Sequence, residues 1–342
     1  MRQFLFISLQ LIFLLSSTSC IREEVRGNSA FDNFVSLWKI IDEQYCFHEY
    51  KQKEYGLDWN EVYNRYEKRI PNDITYDGLF DVLSEMVNEL RDGHVNLSCS
   101  QASSQYREWF DSYPRNFNDS IQSNYLGKDY TVTSGLTYQI LPNNIGYIYC
   151  ASFSNPIGDG NLDHTLNRLA ICDGLIIDIR NNGGGLLTMA EKLASRFTNK
   201  KVLTGYITHK TGKGHNDFSK PKPIYLEPSK GIRWQKRTVV LTNRRTYSAA
   251  NDFVNLMKQL PNVKIVGDKT GGGSGMPFTS EIPIGWSIRF SASPIYDPNM
   301  NQLEFGIDPD IKVDMTSEDM NKGKDSIIEA ALQELNANKG EL

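Results

Sequence analysis

The chain has 342 residues, of which 39% are hydrophobic and 23% charged, with a formal net charge of −4. This is enough apolar material for one large domain or two ordinary ones, and it excludes wholesale disorder. The acidic balance and the absence of a dense basic run argue against a nucleic-acid binder.

The first twenty residues read as a targeting segment. Met1-Arg2-Gln3 is a short basic start, and Phe4 to Leu15 is an apolar stretch too short to span a bilayer as a mature anchor. Small residues 16–19 then lead to Cys20, a pattern that resembles a bacterial lipoprotein signal. Cys20 would then be lipidated and tie the protein to a bacterial envelope membrane. Ser17 stands where such signals usually carry a large aliphatic residue, so a plain secretory signal is the competing reading. Residues 21–30 are polar and short, as a tether should be. The other four cysteines, Cys46, Cys99, Cys150 and Cys172, are scattered without Cys-x-x-Cys. Buried free thiols are expected, and neither zinc, another metal nor a cofactor is implied.

From 31 to 94 the apolar period is helical and predicts a small helical domain. Phe34, Leu37, Trp38 and Ile41 share a face, Asp58 with Glu61 starts a second helix, and Leu79, Leu83, Met86, Val87 and Leu90 mark a third that Gly93 should stop. Residues 95–140 are less regular and read as a connecting excursion. From 141 to 342 strand and helix alternate. Strands are expected at Ile145–Cys150, Leu175–Ile179, Val202–Thr208, Thr238–Thr242 and Val263–Gly267. Helices are expected over about 160–170, up to Phe197, and over Ser248–Leu260. A hairpin turning at Ile284-Gly285, an extended Ile307–Val313 and an amphipathic helix through Leu335 close the chain. The Lys-, Gly- and Pro-rich 210–235 reads as a surface loop. The fold class is therefore α/β in the mixed α+β sense.

Three segments carry possible chemistry. Leu175 to Ile179 is a β-branched run that breaks into Asn181-Asn182 and three glycines before helical spacing resumes. Such a turn can aim backbone N–H groups at negative charge, or simply reverse the chain. Asp178, inside that run, reads as a structural hydrogen-bonding residue. Ser248 opens a helix after a buried strand; it is either an N-cap or a nucleophile set where the helix start stabilises an oxyanion. Of five histidines, His94 lies at a helix C-terminus before the alternating Val95-Asn96-Leu97. That position suits either a helix-ending residue or a general base. Ser274 misses Gly-x-Ser-x-Gly by one position, and Ser36-x-x-Lys39 falls on an apolar helix face.

Together the blocks 175–185, Thr246-Tyr-Ser-Ala-Ala250, Gly267-Asp-Lys-Thr-Gly-Gly-Gly273 and 306–313 resemble the tail-specific, or C-terminal-processing, serine proteases, including their tricorn-like branch. The resemblance covers about residues 90–315. It implies a crotonase/ClpP-like β-α core, hydrolysis of peptide bonds in a polypeptide substrate, and Ser248 as nucleophile. The implied oxyanion donors are the backbone N–H groups of Gly184, Gly185 and Ala249. The lysine of the Ser–Lys branch would fall at Gly273, so that dyad is missing, with Lys269 nearby but displaced. The tricorn-like branch takes its base from the position of His94 and a glutamate near that of Glu304. It has a serine where this chain has Gly93; many members have Glu where Asn251 stands; and residues 95–140 cannot hold the family's PDZ module. These departures keep a second reading open, a catalytically inactive peptide- or ligand-binding lipoprotein on the same fold.

Overall fold

The computed structural model describes residues 27–337; the expected signal segment, Cys20 and most of the tether lie outside them. Ser29 starts the first helix with a reciprocal cap. Its hydroxyl accepts from the Asp32 N–H while the Asp32 carboxylate accepts from the Ser29 N–H. α1 (Ala30–Gln44) buries Phe34, Leu37 and Ile41, and α2 (His48–Tyr55) follows. Asp58 caps α3 (Trp59–Tyr66) by accepting from the Asn60 and Glu61 N–H groups, and Thr75 caps α4 (Tyr76–Asn88). α4 ends before Gly93, and a turn through Arg91 at φ 48° carries the chain to His94.

Next come β1 (Asn96–Ser98), α5 (Glu108–Asp111), α6 (Asp119–Leu126), β2 (Thr131–Thr133), β3 (Leu136–Leu141) and β4 (Ile145–Tyr149). They are followed by α7 (Asp159–Leu169), β5 (Gly174–Asp178), α8 (Leu187–Ala194), β6 (Val202–Ile207), β7 (Lys222–Leu226) and β8 (Thr238–Thr242). After these come α9 (Ala249–Lys258), β9 (Val263–Gly267), β10 (Met276–Glu281), β11 (Ser287–Ser293), β12 (Ile295–Tyr296) and β13 (Ile311–Lys312). The last two elements are α10 (Ser317–Asn321) and α11 (Ser326–Ala337).

The central sheet has seven strands in the order β13-β9-β8-β5-β4-β3-β2. The pairs from β13 to β4 are parallel, and β3 and β2 add antiparallel edges. β5 sits in the middle and every one of its residues is buried. Its alternation explains the apolar run. Leu175 and Ile177 face a core shared with α7, α8 and α9, whereas Ile176 faces one shared with α11. At its end, buried Arg180 bonds both oxygens of Asp178 and reaches Asp325 at 2.8 Å, and Tyr147 donates to Asp178 at 2.7 Å. Asp178 is thus a lock between β5 and α11, as its setting in the apolar run suggests.

Two smaller sheets complete the molecule, β1-β11-β10 and β12-β6-β7. Phe34, Leu37, Leu83 and Val87 of the N-terminal helices, with Leu90 just beyond α4, form one apolar cluster with Ile282, Trp286, Ile288 and Phe290. The helices therefore share a core with a hairpin contributed by the far end of the chain. Two stretches differ from the sequence expectation. β2 and β3 draw residues 131–141 into the central sheet, and β7 emerges within the expected loop at 210–235. β2 and β7 are short edge strands with mostly exposed side chains, so neither carries a clear alternation, whereas β3 lies between β2 and β4 with Leu136, Tyr138 and Leu141 buried. Among the described residues Cys46, Cys150 and Cys172 are buried free thiols and Cys99 is half-buried. No described helix is long and apolar enough to cross a membrane.

Candidate active site

β8 delivers the chain to a tight turn whose conformation is held from all sides. Asn243 Oδ1 accepts from the Asn181 and Arg245 N–H groups, and the Thr246 hydroxyl bonds the Ile179 carbonyl. The Tyr247 N–H goes to Asn182 O and the Ser248 N–H to Gly272 O. This cross-bracing forces Ser248 to φ 56°, ψ −126°, a region that costs a non-glycine residue of order 1–3 kcal/mol. A plain N-cap would sit in the β region and accept a bond from α9. Ser248 does neither: its side chain makes no cap bond. Its Oγ lies instead 3.0 Å from His94 Nε2.

His94 reaches Ser248 across 154 residues of sequence because its loop is pinned. Asp92 Oδ1 accepts from the His94 N–H at 2.7 Å, while Asp92 Oδ2 accepts from the Tyr45 and Ser291 hydroxyls. Lys51 on α2 donates to the carbonyls of Leu90 and Arg91 and to Glu304 Oε1 at 3.0 Å. It is fully buried, one cation serving a loop and two acids. Tyr247 packs edge-on against the His94 ring and Trp109 stacks on Tyr247. That stack explains two departures from family pattern. A Cβ at Gly93 would fall 2.6 Å from Trp109 Nε1, and one at Gly273 would fall 2.1 Å from Tyr247 Cζ. Neither the branch's serine nor a dyad lysine has room beside this ring. Lys269 pairs with Asp308 at 3.8 Å, half-exposed. Asn251 bonds Thr270 and the Leu303 carbonyl, bracing the turn that precedes Glu304.

Electrostatics divide the cluster. Burial pushes the His94 imidazolium down to about 4; Asp92 opposes this, and Arg289 and Lys51 add to it. His94 is therefore neutral at physiological pH, the form a base requires. Burial opposes ionisation of Asp92 too, but Lys51, His94 and its hydrogen bonds hold its carboxyl below the usual range. Glu304 goes the other way: burial, reinforced by Asp92 and opposed by Lys51, lifts it to about 8. One cation between two buried acids keeps one ionised and leaves the other close to protonation. Two atoms of this cluster are buried without a partner among the described residues, His94 Nδ1 and Glu304 Oε2.

The glycine turn backs directly onto Ser248. A Cβ on Gly184, at φ 99°, would meet Ser248 Cβ at 2.8 Å and the Ala249 nitrogen at 2.9 Å, so only glycine fits there. The expectation for Gly184 as an oxyanion donor is corrected by its hydrogen bond: its N–H is donated to Asn182 Oδ1 at 2.9 Å. The N–H groups of Gly185 and Ala249 bond no described residue. They leave two donors beside Ser248, in a cleft of about 310 Å³ lined by Ser248, Gly185, Leu187, Asp252, Met276 and Arg289. Outside the cleft lining, Asp42, His48 and His215 bring potential ligand atoms within 4.8 Å of one another. There His215 Nε2 already meets Asp42, and His48 Nε2 the Ile41 carbonyl. Lys51 and Asp92 are the functional residues that sequence reasoning missed. Asp92 is visible only as the start of Asp-Gly-His, and Lys51 sits in a strongly polar helix with nothing to distinguish it from a surface lysine.

Comparison with known proteins adds a second line. Residues 144–313 match Peptidase family S41, and residues 31–88 match the Tricorn protease C1 domain. The crystal structure of a candidate peptidase from Parabacteroides merdae ATCC 43184 is 49% identical, superimposes with a TM-score of 0.87, and is covered over 98% of its chain by 91% of this one. A tricorn-like protease C-terminal subunit of Sulfurisphaera tokodaii is 27% identical over 166 residues, 47% of this chain and 17% of its own length. The carboxy-terminal processing protease CtpA of Bacillus subtilis (strain 168) is 26% identical over 176 residues, 51% of this chain and 36% of its own length. The chain thus matches only about a third or less of the length of these two curated relatives.

Proposed function

The chain belongs to peptidase family S41, and from that premise we propose that it is a serine peptidase acting on polypeptides with Ser248 as nucleophile and His94 as general base. The observation that carries this is the 3.0 Å approach of Ser248 Oγ to His94 Nε2, combined with the strained backbone and missing cap bond at Ser248. Neutral His94 takes the hydroxyl proton as Oγ attacks the carbonyl carbon, and the oxyanion is held by the Gly185 and Ala249 N–H groups. His94 then protonates the leaving amine. Water, deprotonated by the same imidazole, hydrolyses the acyl ester and restores Ser248. Each oxyanion donor of this kind contributes on the order of 10²–10³-fold in rate. Unpartnered His94 Nδ1 and Glu304 Oε2 support Glu304 as the group that polarises the imidazole through water. Exposed Leu186, Leu187 and Met276 along the cleft suit an extended apolar peptide. A binding-only protein would gain nothing from a strained serine aimed at a buried histidine. A fluorophosphonate probe tests the reading: it should form a covalent adduct at Ser248 that peptide mapping locates, and an unlabelled Ser248 in folded protein would overturn it.

The pH profile should carry the signature of buried His94. A base must be neutral, so kcat/KM is retained as pH falls through 6.5 and is lost only as it approaches about 4. The measurement is kcat/KM against pH on a peptide with no Lys or Arg beside the cleaved bond, with activity recovered on return to neutrality. A reversible acid limb centred near 6.5 would mean that His94 is not desolvated as described.

The N-terminal segment supports a bacterial envelope location, with Cys20 lipidated and the catalytic core held near a membrane. Metabolic labelling with tritiated palmitate should mark the wild type and not Cys20→Ala; equal labelling would remove the anchor from the account.

A further inference from the structure

One turn past Ser248 on α9, Asp252 forms part of the cleft wall. It also lines a second pocket of about 140 Å³, whose other walls include Leu187, Ala190, Ile224, Leu256 and Ile295. Leu187, Asp252 and Ile295 are common to both cavities, so the smaller one adjoins the nucleophile's cleft. An acid in a helix's first turn ordinarily serves the free N–H groups there. Asp252 does not: its Oδ1 is enclosed and has no hydrogen-bond partner. No neighbouring charge or hydrogen bond offsets burial, which lifts the carboxyl to about 7. A half-buried carboxyl at a cleft wall, with one oxygen enclosed and unpartnered, is a group waiting for a donor. The pocket's second acid, Glu191, is exposed at the rim, and neither lysine nor arginine lines the pocket.

We propose that Asp252 is a specificity residue that selects a lysine or arginine side chain flanking the scissile bond. The aliphatic stem of that side chain lies against Leu187 and Ile295, and its cationic tip reaches the Asp252 carboxylate where the two cavities join, with Glu191 adding negative potential from the exposed rim of the second pocket. Apolar walls interrupted by one acid suit a long stem with a charged end, because each part of the side chain meets its own kind of surface. The proposal rests on Ser248 hydrolysing peptides in this cleft.

The test is a panel of internally quenched peptides, identical except for Lys, Arg, Gln, Met or Leu at one position on either side of the cleaved bond. With wild-type protein, kcat/KM for Lys or Arg should exceed that for Met by at least about tenfold, as expected for one charge-assisted contact. Asp252→Asn, nearly isosteric, should erase that preference, and Asp252→Leu should reverse it toward Met and Leu. Two variants keep the test decisive if one folds poorly. A wild type that cleaves Met and Lys peptides equally, or an Asp252→Asn protein that keeps the preference, overturns the proposal. Probe labelling of Ser248 without basic preference overturns this inference alone. Absence of both labelling and cleavage overturns the peptidase reading, and this inference with it.

Discussion

Ser248→Ala is expected to lower kcat for peptide hydrolysis on the order of 10⁶-fold, the scale seen when a catalytic serine is removed while its surroundings persist. What remains is the acceleration from substrate binding and from the Gly185 and Ala249 donors, which alanine does not disturb. His94→Ala should cost nearly as much, and the double variant little more than either, because the two groups act as one unit. The strained φ of 56° separates a catalytic from a structural role for this serine. Ser248→Ala keeps the strain and should melt within a degree or two of wild type. Ser248→Gly relieves it and should gain about 1 kcal/mol. A Ser248→Ala protein that folds normally and keeps even a tenth of the rate would move the nucleophile elsewhere.

The largest effect on stability is expected at Lys51. Its ammonium is buried among the Leu90 and Arg91 carbonyls and Glu304, with Asp92 close enough to be held ionised. Lys51→Met keeps the stem and removes the charge, leaving buried acids uncompensated. Breaking a buried pair from one side costs about 3–5 kcal/mol, read as a lower urea midpoint with an unchanged slope. Adding Glu304→Gln should restore part of the loss, since that acid then needs no cation. The same variant has a kinetic signature. Lys51 helps depress the His94 imidazolium while Asp92 raises it, so removing Lys51 should move the acid limb of kcat/KM upward. A Lys51→Met protein within 1 kcal/mol of wild type and with an unmoved acid limb would show that this ion cluster does not organise the His94 loop.

These expectations show which features local pattern reveals and which it hides. Leu175 to Ile179 is legible as a buried strand because both faces of β5 meet apolar layers, and Ser29 and Asp58 announce helix starts through short-range capping bonds. β2 and β7 are not legible in the same way, since edge strands with solvent on one face need no strict alternation. Ser248 and His94 could be named from their settings, but each kept a bland alternative as an N-cap or helix-ending residue. Gly184 illustrates the limit: three consecutive glycines announce available backbone N–H groups, and only the fold shows that Asn182 has taken one of them.

By itself, the sequence determined the strand–turn–helix units and the family resemblance, and through that resemblance named Ser248 and His94, because motifs depend on spacing and side-chain chemistry within a few residues. Only the tertiary structure decided that Lys51 is a buried cation, that Asp92 and Glu304 titrate apart, that Tyr247 displaces a dyad lysine, and that Asp252 faces the cleft without a partner. Charge states and donor availability depend on burial and on neighbours tens to hundreds of residues away, and local sequence carries no record of either.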